Sequence, residues 1–132
     1  MKLASSSLLL ADFVQDTGPR SKKNILGIIG AVSGPALPLV IPSIWAYWRA
    51  FATEIEPGPH TVNLQLRLPD GVTVLPLATG GIPQLPASKG GLEITFPLAM
   101  IQTTEEGLYL FELVVDDSIK AGAAALEVSV VP

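Results

Sequence analysis

The chain has 132 residues, enough for a single domain spanning 1–132, and it has no cysteine, which excludes disulfide bonds and thiolate metal sites. Eight Lys or Arg against twelve Asp or Glu give a net charge of −4 and no basic stripe, so we expect no nucleic-acid partner. The lack of cysteine is compatible with the reducing cytoplasm, which is the compartment we expect.

The N-terminal segment is predicted to form the first β-strand, Leu8–Val14. Met1-Lys2 followed by the apolar stretch Leu3–Ala11 also has the outline of a signal peptide. Serines interrupt that stretch, and Asp12 follows it without a small-residue cleavage site. A strand is therefore the favoured interpretation, and a cleaved signal is the alternative left open.

Residues 24–48 form an uncharged stretch of 25 residues, long enough for a helix across a bilayer. Three prolines lie within this stretch, and each costs a helix about 3 kcal/mol or more because it removes a hydrogen bond and clashes with the preceding turn. We therefore expect no membrane span. Two strands are predicted instead, near Ile25–Val32 and Ile44–Ala52, with a proline-rich connection between them.

A hairpin is predicted next. Thr61–Leu68 alternates apolar and polar residues, which is typical of a half-buried antiparallel strand. Pro69-Asp70-Gly71 has the composition of a tight turn, and Val72–Leu77 is the expected partner strand. Residues 78–91, with four glycines and two prolines, are predicted to form a loop.

The remaining segments also indicate short strands. Leu92–Phe96 alternates and is predicted to bend or end at Pro97. Leu108–Val115 is apolar on nearly both faces, as a central strand is. Ile119–Ala125 is a weak strand or part of a loop, and 126–130 forms the last strand. Seven to nine short strands without helices predict an immunoglobulin-like two-sheet antiparallel β-sandwich.

The turn before the strand at Leu108–Val115 supports this fold class. The segment Glu105-Glu106-Gly107-Leu108-Tyr109 resembles the tyrosine corner of immunoglobulin-like sandwiches. In that feature the tyrosine ring packs in the core, and its hydroxyl binds backbone a few residues upstream. We therefore expect Tyr109 to be buried and hydrogen-bonded in this way.

The order of these features resembles a family of small bacterial proteins that have no assigned function and are expected to be β-sandwiches. The resemblance rests on Leu26-Gly27-Ile28-Ile29-Gly30, on the aromatic strand around Trp45–Trp48, on Pro57-Gly58-Pro59-His60 and on Pro69-Asp70-Gly71, and it covers most of the chain. It departs from the family pattern at Asp117 and in the loop 78–91. It implies a fold and supplies no functional residue.

The titratable residues give little indication of chemistry. His60 is the only histidine, and it is interpreted as a solvated turn residue rather than a catalytic base. The acidic pairs at 54/56, 105/106 and 116/117 are interpreted as charges that keep turns in water, with calcium binding or sugar hydrolysis as the alternatives. We therefore predict no catalytic residue, no metal, no cofactor and no enzymatic activity.

The aromatic strand contains the candidate binding site. Alternation places Trp45, Tyr47, Arg49 and Phe51 on one face and Trp48 on the other. One face belongs to the core, and the other either lies under a loop or is offered to a partner. The candidate binding residues are Trp45, Tyr47 and Arg49.

Composition indicates how these residues are used. Charged residues make up 15% of the chain, against about 25% in ordinary soluble domains, while apolar residues make up 48%. This excess favours burial against another chain. The leading hypothesis is a non-enzymatic interaction or assembly subunit that binds a protein partner or forms a homo-oligomer. The alternative is a carbohydrate-type ligand-binding module that uses the same aromatics and the loop 78–91.

Overall fold

The computed structural model describes residues 1–17, 22–85 and 87–132. Within these residues the chain forms nine β-strands and no helix. In chain order they are β1 (Lys2–Asp16), β2 (Lys23–Ile28), β3 (Ala31–Gly34), β4 (Leu39–Thr53), β5 (His60–Arg67), β6 (Val74–Ile82), β7 (Gly90–Thr103), β8 (Gly107–Val115) and β9 (Ile119–Val130). The described part of the chain thus contains no helix that could span a membrane.

The strands form two sheets, as predicted. One has four strands in the order β2-β1-β4-β7, and the other has five in the order β3-β9-β8-β5-β6. Every pairing is antiparallel except that of β3 with β9, which is parallel. The prediction of wholly antiparallel sheets is therefore wrong at β3, and the five-stranded sheet is mixed.

The predicted strand Ile25–Val32 is in fact two strands in different sheets. The Ile29 N–H donates to the Leu10 carbonyl in the four-stranded sheet at 2.8 Å, whereas the Gly30 carbonyl accepts from the Glu127 N–H in the other sheet at 3.0 Å. Neighbouring backbone groups therefore bond to opposite sheets. The change from one sheet to the other is set by bonds to residues far along the chain. The apolar pattern of residues 25–32 therefore does not reveal it.

Three prolines lie within strands, two of them in edge strands, where a missing N–H is tolerated. Pro76 and Pro97 belong to β6 and β7, which are edge strands. Pro97 therefore does not end its strand, and β7 continues to Thr103. Pro42 lies in β4 before the pairing with β1, which begins at Trp45 opposite Ala11.

Two other predicted boundaries are wrong. The predicted loop 78–91 is shorter, because β6 extends to Ile82 and β7 begins at Gly90. The segments 119–125, predicted as a weak strand or loop, and 126–130, predicted as the last strand, form one strand, β9, which pairs along almost the whole of β8. The alanine run lies beside large β8 residues, for example Ala124 opposite Phe111, and pairing rather than local propensity holds it extended.

The core lies between the two sheets, and Trp48 links them. Trp48 is completely buried, and its Nε1–H donates to the Ser6 hydroxyl at 2.8 Å. The Ser6 hydroxyl in turn donates to the Ala121 carbonyl on β9, in the other sheet. The indole, whose N–H needs a partner once buried, is thereby satisfied across the sandwich.

The predicted tyrosine hydrogen bond is confirmed. Tyr109 is 1% exposed, and its hydroxyl donates to the Glu105 carbonyl at 2.9 Å. Gly107 begins β8 with φ of +132°, and a Cβ at that position would lie 2.8 Å from the Pro69 side chain. Glycine is therefore required for the connection from β7 to β8 to pass this close to the β5–β6 turn.

Candidate functional site

The hairpin formed by β1 and β2 folds over the outer face of the four-stranded sheet. In the strand order, β1 and β4 separate β2 from β7, which in a flat sheet is a distance of about 14 Å. Lys23 of β2 nevertheless places its Nζ 3.4 Å from Glu93 Oε1 on β7. The pairing of β1 with β4 ends at Ala11, so the hairpin beyond this residue bends back across the sheet.

A second, small apolar cluster lies beneath this hairpin. It consists of Ala11, Val14 and Tyr47, with Ile25 and Trp45 packed against it. Tyr47 is consequently only 7% exposed, although it lies on the outer side of its sheet. The second aromatic face, which the sequence predicted, is thus partly covered by the chain itself.

Tyr47 is held in its neutral form. Its hydroxyl donates to Glu93 Oε2 at 2.5 Å. Burial raises the pKa of Tyr47 to about 12, and the neighbouring Glu93 carboxylate adds to the effect. The phenol is therefore a fixed hydrogen-bond donor to Glu93 at neutral pH and does not titrate there.

Lys23 connects the hairpin to the sheet electrostatically. Its Nζ lies 3.1 Å from Asp16 Oδ2 and 3.4 Å from Glu93 Oε1. The pKa of Lys23 is raised, chiefly by the hydrogen bond to Asp16, so the ammonium stays charged. Lys23 thus forms ion pairs with Asp16 at the end of β1 and with Glu93 on β7, the carboxylate to which Tyr47 also donates.

A cleft of about 610 Å³ remains between the hairpin and the sheet. Arg49 lies two residues after Tyr47 in β4. It lines this cleft and is exposed. The lining side chains are mostly polar and include three cations: Ser7, Thr17, Lys22, Lys23, Asn24, Ile25, Tyr47 and Arg49. A cleft of this volume can hold a small ligand.

Trp45 lies apart from the cleft in a different environment. It is half-buried, and its ring meets Phe13 edge to face, with a centroid distance of 5.1 Å. The three predicted binding residues therefore share one side of β4 but divide into an aromatic contact, a buried phenol and an exposed cation. Of the two indoles, Trp48 belongs to the core and Trp45 to the outer side.

The outward side of the hairpin carries three exposed apolar residues that the sequence analysis did not single out. Phe13 is 43% exposed, Leu26 is 53% exposed and Ile28 is 68% exposed. Phe13 and Leu26 are direct partners in the β1–β2 register, which brings their side chains together. We call Phe13, Leu26 and Ile28 the hairpin patch. The alternation of residues 25–32 does not reveal this patch, because both faces of that segment are apolar in the sequence.

His60 is not a solvated turn residue, and that interpretation is wrong. It is 6% exposed, its Nδ1 lies 2.6 Å from Asp116 Oδ2, and its Nε2 lies 2.9 Å from the Glu56 carbonyl. A carbonyl oxygen accepts only, so Nε2 carries a proton and donates it to Glu56. The hydrogen bond to Asp116 is the main cause that raises the pKa of His60.

Glu56, His60 and Asp116 form a group whose potential ligand atoms all lie within 4.8 Å of one another. The acidic pairs 54/56 and 116/117 thus each supply one carboxylate to this group. A cation here would have to displace the proton between His60 Nδ1 and Asp116. Within this group, the hydrogen bond between His60 and Asp116 connects the start of β5 to the β8–β9 turn.

The fold and site define a class: a small, two-sheet, all-β domain with a hairpin folded over one face and a polar cleft beneath it. Residues 6–129 match the model of the Family of unknown function (DUF6941), and the chain belongs to this family. No curated protein matches the sequence at a significant level.

Among solved structures, the chain is similar to the Pseudomonas fluorescens alkylpurine DNA glycosylase AlkC bound to DNA containing an abasic site analog. The two are 11% identical with a TM-score of 0.49, over 92% of this chain and 30% of the glycosylase chain. This chain therefore spans less than a third of the glycosylase, and the likeness supports no functional argument.

Proposed function

We propose that this domain is a non-enzymatic association module that binds a second copy of itself through the hairpin patch. The observation that supports this most directly is the exposure of Phe13, Leu26 and Ile28 as neighbours on one side of one hairpin. Large apolar side chains grouped in this way are typical of a contact surface. With a net charge of −4, the chain favours a protein partner over nucleic acid.

The edge strands favour β2 as the strand that associates. Among the described residues, β6 contains Pro76, β7 contains Pro97, and β3 is only 4 residues long. Prolines and short length are the features that keep edge strands from pairing with other chains. β2 contains no proline, pairs with β1 alone among the described strands and exposes Leu26 and Ile28.

A second copy fits this surface because an antiparallel pair of β2 strands is symmetric. A two-fold axis brings the same patch of each copy together, and closed pairs of this kind are the commonest oligomers. Phe13 contacts Trp45, so the apolar surface continues to that residue.

Replacing Leu26 and Ile28 by lysine tests the association. We expect the wild-type protein to sediment as a dimer at micromolar concentration and the double variant to sediment as a monomer, because two charges then face each other across the symmetric contact. Sedimentation velocity gives the mass, and a thermal unfolding curve checks that the variant folds.

Leu108→Lys is the matched control, since Leu108 is 52% exposed and Leu26 is 53% exposed, but Leu108 lies on the other sheet. This control should remain dimeric. A monomeric wild-type protein at all accessible concentrations would contradict the proposal, as would a dimer that the double variant leaves intact.

We also infer that the strand order is a variant of the immunoglobulin-like arrangement. Three features support this: the Tyr109 hydrogen bond where the chain crosses from β7 to β8, the β8–β9 hairpin, and the parallel contact of β3 with β9 at the edge of the five-stranded sheet. Absence of backbone NOEs between Val32 and Val128, which are register partners, would contradict the inference.

A carbohydrate-binding module is the second candidate, because the Trp45 and Phe13 rings are partly exposed. Gly90, the first residue of β7 and part of the predicted loop 78–91, pairs with Ala52, seven residues along β4 from Trp45 and about 23 Å away. The end of the predicted loop at Gly90 therefore lies far from the aromatic rings. On a glycan array, signal that Trp45→Ala abolishes would support this candidate, and background-level signal would remove it.

A further inference from the structure

We propose that the cleft beneath the β1–β2 hairpin binds a small molecule that carries a phosphate or carboxylate group. This proposal concerns a surface distinct from the hairpin patch and does not rest on self-association. Phe13, Leu26 and Ile28 are exposed and are not among the residues that line the cleft.

The cations are the main donors that the cleft offers a ligand, because three of its other polar groups already donate within the protein: the Tyr47 hydroxyl to Glu93, the Asn24 amide to Gln15 and the Thr17 hydroxyl to the Lys22 carbonyl. The polar lining of the cleft consists of two lysines, one arginine, an amide, two aliphatic hydroxyls and the Tyr47 phenol, and no carboxylate is among the described residues that line it. An anionic group has only acceptor oxygens and is therefore complementary to such a lining. Ile25 adds a small apolar surface for the rest of the ligand.

The charges at this cleft stand out against the rest of the chain. The chain has eight Lys or Arg and a net charge of −4, yet Lys22, Lys23 and Arg49 lie at one cleft. Positive groups that line one concavity reinforce one another's potential at its centre.

The neighbouring carboxylates do not neutralise the cleft fully. Glu93 accepts the Tyr47 hydroxyl and lies within 3.4 Å of Lys23, whose Nζ also contacts Asp16 at 3.1 Å. Lys23 is therefore already engaged. Among the described residues, neither Lys22 nor Arg49 has an ion pair, which leaves both cations available for a ligand.

The arrangement favours a small ligand with a defined anionic end. The cleft volume of about 610 Å³ is in the range of small-molecule sites. Arg49 can bind two oxygens of one phosphate or carboxylate at once through its planar guanidinium. Lys22 and Asn24 lie on the hairpin opposite Arg49 on the sheet, so an anion between them would connect the two walls of the cleft.

Titration with two simple anions tests the proposal. Inorganic phosphate and succinate are each added to the full chain labelled with ¹⁵N, at ionic strength held constant with sodium chloride. We expect saturable shifts of the backbone amides of Ser7, Asn24 and Arg49. In the double variant Lys22→Gln/Arg49→Gln we expect affinity to fall by about tenfold, because two charge-assisted hydrogen bonds are removed.

The control is Lys89→Gln/Lys120→Gln, which removes two exposed lysines outside the cleft and should bind as the wild type does. Saturation with phosphate alone assigns a phosphate ester as the ligand class, and saturation with succinate alone assigns a carboxylate. Absence of saturable shifts with both probes overturns the proposal. Equal weakening in both double variants also overturns it, because the effect would then be general screening.

Binding that persists in a monomeric Leu26→Lys/Ile28→Lys protein separates this site from the association surface.

Discussion

Replacement of Trp48 by alanine is expected to lower the free energy of unfolding by about 3–5 kcal/mol, the range for removing a large aromatic side chain from a core. Trp48 is completely buried, so the substitution leaves a cavity between the sheets. It also removes the donor to Ser6, whose hydroxyl bonds to Ala121 across the sandwich. Urea denaturation followed by circular dichroism measures the loss.

Trp45→Ala is the matched comparison, because Trp45 is the other indole of the same strand and is only half-buried. We expect a loss of about 1–2 kcal/mol, since less apolar area returns to water. The fluorescence of the two single-tryptophan proteins provides a second measurement. The protein that retains Trp48 should emit at shorter wavelength, and the reverse order would show that the wrong indole has been assigned to the core.

The second large effect concerns His60 and pH. The pKa of His60 is raised above its ordinary value of 6.5, first by the hydrogen bond to Asp116 and next by the bond to the Glu56 carbonyl. A group with a raised folded-state pKa stabilises the fold fully below its unfolded pKa, and this contribution disappears as the pH rises through the folded value. Stability should therefore fall as the pH increases from about 6.5 into the alkaline range.

His60→Gln should lose about 1–3 kcal/mol of unfolding free energy at acidic to neutral pH, because a buried, charge-assisted hydrogen bond is removed. Its unfolding midpoint should also become nearly independent of pH in that window. Asp116→Asn provides the complementary variant, since Asp116 has φ of +51°, which asparagine tolerates well. If both variants retain the pH dependence of the wild type, another group causes it.

The local sequence was sufficient for much of the fold. Alternation in Thr61–Leu68 predicted β5, the Pro69-Asp70-Gly71 turn predicted the hairpin with β6, and the segment around Tyr109 predicted a buried ring with its backbone bond. These features depend on backbone dihedrals and on the two-residue strand period. Interactions between residues near in sequence determine both.

Other features depended on partners far along the chain. The exchange of sheets at Ile29 and Gly30 follows from bonds to Leu10 and Glu127, and β9 is one strand because it pairs with β8. His60 appeared to be a turn residue because Asp116 lies 56 positions away. No local pattern identifies such an acceptor.

The candidate site shows the same division. The sequence by itself determined that Trp45, Tyr47 and Arg49 share one side of β4, because alternation along a strand requires it. Only the tertiary structure decided that the hairpin bends back over that side, which buries Tyr47, leaves Arg49 at a cleft and turns Leu26 outward. The physical reason is that strand period is a property of the backbone, whereas burial depends on which distant surfaces come to lie against it.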